Sequence, residues 1–197
     1  MTDYLLQQGR EDYWPCLDLV APLHQDFADR HRMQYVVHRE PMLPDYPGHW
    51  DSVPLLLDLV QREDTGMVLW LDADTLIVGD GDPRDVLRGY DIAMARHPGP
   101  PEHYNCGVLM LQAGEDIAAW LQAVLDRAPG TYPWYQQTIM NDLLTAPEWE
   151  GRVKTLPHEW NSTVVLRHPE RCIIRAWHGY PGGAWARYEA MRKAAGV

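Results

Sequence analysis

The chain is poor in cysteine, lysine and phenylalanine. Its three cysteines, Cys16, Cys106 and Cys172, are widely spaced and form no CxxC pair, which speaks against a disulfide framework or a structural zinc site. Only Lys154 and Lys193 are lysines among 17 basic residues, a bias that points to a GC-rich, bacterial genome. Set against 28 acidic residues, the basic ones leave a formal net charge of -11, which argues against tracking nucleic acid or an anionic membrane. No apolar run approaches the ~20 residues that span a bilayer. The opening MTDYLLQQGREDYW lacks the basic and apolar regions of a signal peptide. A cytoplasmic chain without a membrane span is the expectation. There is no internal repeat, low-complexity tract or charged tail. The length of 197 residues suits one domain over residues 1–197, and 46% hydrophobic with 23% charged residues excludes general disorder. Beside the single phenylalanine stand nine tryptophans and ten tyrosines, whose apolar faces and polar handles suit sugar or base stacking as well as ordinary packing.

Hydrophobic patterning alternates strands and helices. Strands are expected at Tyr4–Gln8, Met33–Val37, Met67–Leu71, Leu76–Val78, Ile92–Ala95, Gly107–Leu111, Arg152–Leu156 and Ile173–Trp177. Tyr13–His31 reads as a helix that Pro22 should kink. A helix capped by Asp51 or Ser52 carries Val53, Leu56, Leu57 and Val60 at helical spacing. Ile117, Trp120, Leu121, Val124 and Leu125 form a second stripe, and Tyr135–Leu144 a further helix. The run MVLWL (67–71) has no polar alternation, as in a strand covered on both faces. The pattern predicts an α/β fold with a mainly parallel central sheet flanked by helices. Ligands of such sheets bind beyond the carboxyl ends of the strands.

At one such end stands Asp72-Ala73-Asp74. Carboxylates at i and i+2 of an extended segment share a side and repel each other unless a cation lies between them. Mg²⁺ and Mn²⁺ accept such oxygen ligation and leave positions open for phosphates. The same two residues also serve as strand-capping turn formers. Asp-x-Asp after a strand further resembles the haloacid-dehalogenase-type phosphatases, but Thr75 follows Asp74 directly and Leu76 occupies the position where those enzymes carry threonine.

Downstream, Tyr104-Asn105-Cys106-Gly107 places an amide and a glycine at the start of a strand. Gln136 and Gln137 open a helix ending near Asn141, and adjacent positions on a helix cannot both face one site. Leu156-Pro157 leads to Trp160-Asn161, and Trp177-His178-Gly179 precedes a glycine- and proline-rich loop. Taken in order with Trp50 and Asp72–Asp74, these motifs resemble the GT-A nucleotide-sugar glycosyltransferases, nearest the retaining glycogenin-like and mannan- or xyloglucan-type galactosyl- and xylosyltransferase groups. The resemblance spans roughly residues 4 to 180.

The resemblance implies a single Rossmann-like GT-A domain that uses Mn²⁺ or Mg²⁺ and a nucleoside diphosphate sugar, a UDP-sugar by preference. Asp72, Asp74 and His178 would hold the metal. Asp72, Ala73, Gly107 and Gly179 would line the donor, and Tyr4, Gln7 and Gln8 would border its base. Asn105 and Gln137 would sit at the reacting sugar, Gln137 by the anomeric carbon. An acceptor (a neutral sugar, a peptide or a small metabolite) would enter past His49, Trp50, His97, His103 and Tyr104. Departures stand out: Gln136 replaces an aspartate, Ser52 a lysine, and the usual lysine-bearing C-terminal motif is reduced to His-Gly-Tyr-Pro-Gly-Gly. They leave the donor sugar and the anomeric outcome open. A non-catalytic nucleotide-sugar or carbohydrate-binding module remains a further alternative. A nucleoside diphosphate is expected to stabilise the chain only with a divalent cation present, and His168 is expected to be a neutral surface residue.

Overall fold

The computed structural model describes residues 1–97, 103–128, 132–163 and 171–197. His168 and residues 98–102 of the expected acceptor loop lie outside them. The central sheet comprises β1 (Thr2–Gln8), β2 (Met33–His38), β3 (Thr65–Asp72), β5 (Ile92–Arg96), β6 (Tyr104–Gln112) and β7 (Val153–Thr155), in the order β2-β1-β3-β6-β5-β7. Only β6 runs against its neighbours; the others share one direction, so the sheet is mainly parallel, as the patterning predicts. Between β3 and β5 lies the short β4 (Thr75–Ile77). With β8 (Ser162–Thr163) and β9 (Ile174–Ala176) it forms a small second sheet, β4-β9-β8.

The apolar run in β3 is buried on both faces. Val68 and Trp70 join Tyr4, Leu6 and Leu109 under α2 (Ser52–Val60), α4 (Glu115–Asp126) and α5 (Gln136–Leu143). Met67, Leu69 and Leu71 point the other way, toward Phe27 and Ala28 of α1 (Trp14–Arg30) and Leu87 of α3 (Pro83–Leu87). Each such side chain contributes ~1.5–3 kcal/mol by leaving water, so this strand anchors the fold. The segment after it must therefore emerge at the sheet's carboxyl edge.

Two elements depart from the sequence reading. α1 runs unbroken through Pro22. The bond lost there is to the Asp18 carbonyl, and both residues are exposed, so water can satisfy it. The glycine-rich loop after His178 leads into a further helix, α6 (Gly183–Ala195). Met191 of α6 packs with Cys16, Val20, Leu76 and Trp177, closing the chain against α1 and β4.

Candidate metal centre and cleft

β3 delivers Asp72 at its end, and a tight turn delivers Asp74. Three hydrogen bonds shape that turn. Thr75 Oγ1 donates to the Asp72 carbonyl at 2.8 Å, Gln7 Nε2 donates to the same oxygen at 3.2 Å, and the Trp177 amide donates to the Asp74 carbonyl at 3.0 Å. The last bond continues the β4–β9 pairing, in which Thr75 lies opposite Ala176. That antiparallel register carries His178 to the Asp-x-Asp turn from the far end of the chain.

The three side chains converge. His178 Nδ1 is 3.4 Å from Asp74 Oδ1 and 3.7 Å from Asp72 Oδ2. One ligand atom from each residue fits within a sphere of mutual distances below 4.8 Å. Gly107 of β6 makes room for this: a Cβ there would lie 2.0 Å from His178 Cε1 and 2.9 Å from Asp72 Oδ2. Glycine at this position is thus a requirement of close approach, not of backbone conformation. Gly179, with φ +68°, supplies the left-handed residue that turns the chain away after His178.

A relay of amides orients the imidazole. Asn105 Oδ1 accepts from the Gly107 amide at 3.0 Å and from Asn161 Nδ2 at 2.9 Å. Asn161 must then present its oxygen to His178 Nε2, 3.2 Å away. Nε2 is therefore the protonated nitrogen, and Nδ1 aims its lone pair at the carboxylates whenever the ring is neutral. Trp70 Nε1 donates to Asp72 Oδ1 at 3.0 Å, which leaves Oδ2 toward His178.

The charges are strongly coupled. Burial pushes the Asp74 carboxyl up, but His178 and Arg187 together hold it below its ordinary value. Burial, reinforced by the neighbouring Asp74, raises Asp72 despite His178. Burial lowers His178, yet the two carboxylates outweigh it and the ring stays protonated above its ordinary pKa of 6.5. Buried Asp74 Oδ1 has no partner of hydrogen-bond geometry among the described residues. An oxygen-rich pair with one nitrogen, an unsatisfied buried oxygen and a glycine cradle together fit a divalent cation such as Mn²⁺ or Mg²⁺.

This cluster forms the floor of a cleft of ≈ 340 Å³ lined also by Gln8, Arg10, Tyr13, His49, Tyr135, Gln136 and Arg187. Such a volume is within the range of small-molecule sites. The His49 and Tyr135 rings stack at 4.6 Å across its mouth. Tyr135 holds a positive φ of 50° there.

The remaining expected site residues separate. Of the first strand only Gln8 lines the cleft. Tyr4 is buried in the core, because its place in β1 directs it toward α2. The Gln7 side chain is enclosed, accepting from Tyr35 Oη at 2.7 Å and hydrogen-bonded to His24 Nδ1 at 2.8 Å. Gln137 Oε1 accepts from the Cys106 amide at 3.0 Å; it is Gln136 that lines the cleft, with buried Oε1 unpartnered among the described residues. Trp50, 1% exposed, packs in the core beneath α2 rather than facing an acceptor. His103 and Tyr104 instead line a separate groove with Arg96 and Trp134. There His103 stacks between His97 and Trp134, at 4.7 and 4.2 Å. Asn161 and Arg187 gave no signal of their own in the sequence. Asn161 lay within a recognised motif but without a role, and Arg187 lay in a helix the patterning did not show.

The sheet order, the Asp-x-Asp edge and the helical layers define the GT-A glycosyltransferase fold. Among solved structures, the chain resembles a glycosyltransferase involved in the glycosylation of the major capsid of PBCV-1, with 14% identity, TM-score 0.78, 98% of this chain and 100% of that one. It also resembles the glycosyltransferase GlyE of Streptococcus pneumoniae TIGR4, with 13% identity, TM-score 0.64 and 99% of this chain, which spans 64% of that one. The galactosyltransferase LgtC, in complex with donor and acceptor sugar analogs, aligns with 14% identity, TM-score 0.57, 98% of this chain and 95% of that one. No family model and no curated protein matches the chain. These neighbours lend no support to the phosphatase alternative.

Proposed function

We propose that residues 1–197 form one GT-A-type domain that acts as a metal-dependent glycosyltransferase. It moves a sugar from a nucleoside diphosphate sugar, a UDP-sugar by preference, to a neutral sugar, peptide or small metabolite, with retention at the anomeric carbon. One observation carries the reading: Asp72, Asp74 and His178 gather their ligand atoms within 4.8 Å at the carboxyl edge of the sheet, in a fold shared with glycosyltransferases. These three residues would hold Mn²⁺ or Mg²⁺, which when bound neutralises charge on the departing diphosphate.

The chain's own residues do the rest. Ala73 and Gly179 keep the approach to the diphosphate open. Gln8 borders the base. Gln136 offers its unsatisfied amide oxygen to the transferring sugar, in the role the resemblance assigned to Gln137. Asn105 acts by orienting Asn161, and through it His178. His49 stands at the mouth, and the stacked rings of His97, His103 and Trp134, with Tyr104, offer apolar faces on which an acceptor sugar can rest.

Melting temperatures with UDP, GDP and ADP, each in Mn²⁺ and in EDTA, test this reading. UDP with Mn²⁺ is expected to stabilise most, by ~2.7 kcal/mol at one hundred times its dissociation constant. Equal stabilisation in EDTA removes the metal from the reading, and a preference for a purine overturns the uridine assignment. Binding of nucleotide sugars with neither transfer nor donor hydrolysis leaves a binding module. NMR of the first product reports the anomeric outcome.

A further inference from the structure

The cleft contains two arginines in different circumstances. Arg10 is fully engaged: Nε donates to Asp51 Oδ2 at 2.9 Å, and Nη2 donates to Asp51 Oδ1 at 3.2 Å and the Leu43 carbonyl at 2.9 Å. Its charge is matched by a buried carboxylate, and its work is to hold the 43–51 loop. Arg187, projecting from α6, uses a single nitrogen. Nη1 donates to Asp74 Oδ2 at 2.6 Å and to Tyr13 Oη at 2.7 Å. Nε is buried and has no hydrogen-bond partner among the described residues, and no described hydrogen bond uses Nη2. Five N–H donors in a planar fork are thus held at the wall of the cleft with three of them unused.

From this geometry we infer that Arg187 is an anion-binding residue of the donor site, a fixed cation that takes the diphosphate beside the metal. The inference rests on the reading of the cleft as a metal and nucleoside diphosphate site. A divalent cation between Asp72 and Asp74 only cancels those two carboxylates. Arg187 tips the centre one charge positive, before the exposed Asp12 at the rim is counted. Guanidinium matches phosphate oxygens with paired, charge-assisted bonds that lysine cannot reproduce. Tyr13 and Asp74 hold Nη1 in place, so little side-chain entropy is lost when the anion arrives. α6 thereby supplies the cation absent from the shortened His-Gly-Tyr-Pro-Gly-Gly segment.

The charge predicts a split that a merely structural role would not produce. Arg187 repels a metal ion and attracts a diphosphate. Calorimetric titration of Arg187→Gln with Mn²⁺ alone is expected to give affinity equal to or tighter than the parent's. Titration with UDP at saturating Mn²⁺ is expected to show a loss of about ten-fold or more. Arg187→Lys, which keeps the charge but not the fork, should fall between. If Arg187→Gln loses Mn²⁺ and UDP in equal proportion, Arg187 only props Asp74 and the inference is overturned. It is likewise overturned if UDP affinity stays within about two-fold of the parent. Should Arg187→Gln not fold, Arg187→Lys decides, and UDP binding like the parent's then overturns the fork. A parent chain that binds neither Mn²⁺ nor UDP instead brings down the donor-site reading itself.

Discussion

His178 Nδ1 stands 3.4 Å from Asp74 Oδ1 because β9 pairs antiparallel with β4, and Asn161 turns the ring so that Nδ1 rather than Nε2 faces the carboxylate. Removing the ligand or its orienter should thus have related effects of different size. His178→Ala is expected to abolish tight Mn²⁺ binding. Asn161→Ala leaves the ligand but frees its ring, and is expected to cost ~10–100-fold in Mn²⁺ affinity. Mn²⁺ titration followed by electron paramagnetic resonance checks both; parent-like affinity in His178→Ala would remove the histidine from the metal centre.

Metal binding should release a proton. In the metal-free chain His178 is protonated up to a pH above 6.5, because the two carboxylates outweigh its burial. A cation needs the neutral ring, so it must displace that proton. Mn²⁺ affinity is expected to fall as pH drops, with the decline starting above pH 6.5. Calorimetry in buffers of differing ionisation enthalpy counts the protons released; a pH-independent affinity across this range contradicts the coupling.

Gly107→Ala tests the close approach on β6. Its Cβ would sit 2.0 Å from His178 Cε1 and 2.4 Å from Nε2, so the ring must move. Mn²⁺ affinity is expected to fall by an order of magnitude or more, with ~1–3 kcal/mol lost to overpacking. Mn²⁺ titration and chemical denaturation separate these two losses.

The turn bearing the carboxylates rests on a buried polar chain. His24 Nδ1 bonds Gln7 Oε1 at 2.8 Å, His24 Nε2 accepts from the Ile77 amide at 3.1 Å, and Gln7 reaches the Asp72 carbonyl. Both ends of the Asp72–Ile77 hairpin are thereby tied to α1 and β1. Burial lowers the His24 pKa from 6.5 to about 3. The unfolded chain therefore takes up a proton that the folded chain refuses. The stability this contributes is complete above pH 6.5 and is lost as pH falls toward 3. His24→Leu should orphan Gln7 Oε1 and the Ile77 amide, costing ~1–3 kcal/mol for each. It should also remove this part of the acid dependence. Denaturation curves of parent and variant from pH 7 to pH 4 provide the check.

By itself the sequence determined the layered α/β architecture and the edge at which the site lies. The continuous apolar run of β3 admits only a strand covered twice, and whatever follows it must emerge at the sheet's carboxyl end. Periodicity likewise marked α2 and α4, since their buried residues repeat at helical spacing. Tertiary structure decided which polar side chains reach the cleft. Gln136 and Gln137 are neighbours of one type, and their separation into cleft and backbone support follows from how α5 sits on β6, pinned by Asn141 to the Tyr104 amide and carbonyl. Tyr4 and Trp50 went to the core because an aromatic ring shows no preference between packing and binding until its neighbours are placed. α6 escaped the patterning because Met191 is its only fully buried residue, too little to mark a face. Arg187 therefore became visible only when that helix closed against α1 and set a guanidinium on Asp74. Periodicity records which faces are buried, whereas a site is made of polar groups brought together from distant segments, and that convergence exists only in the folded chain.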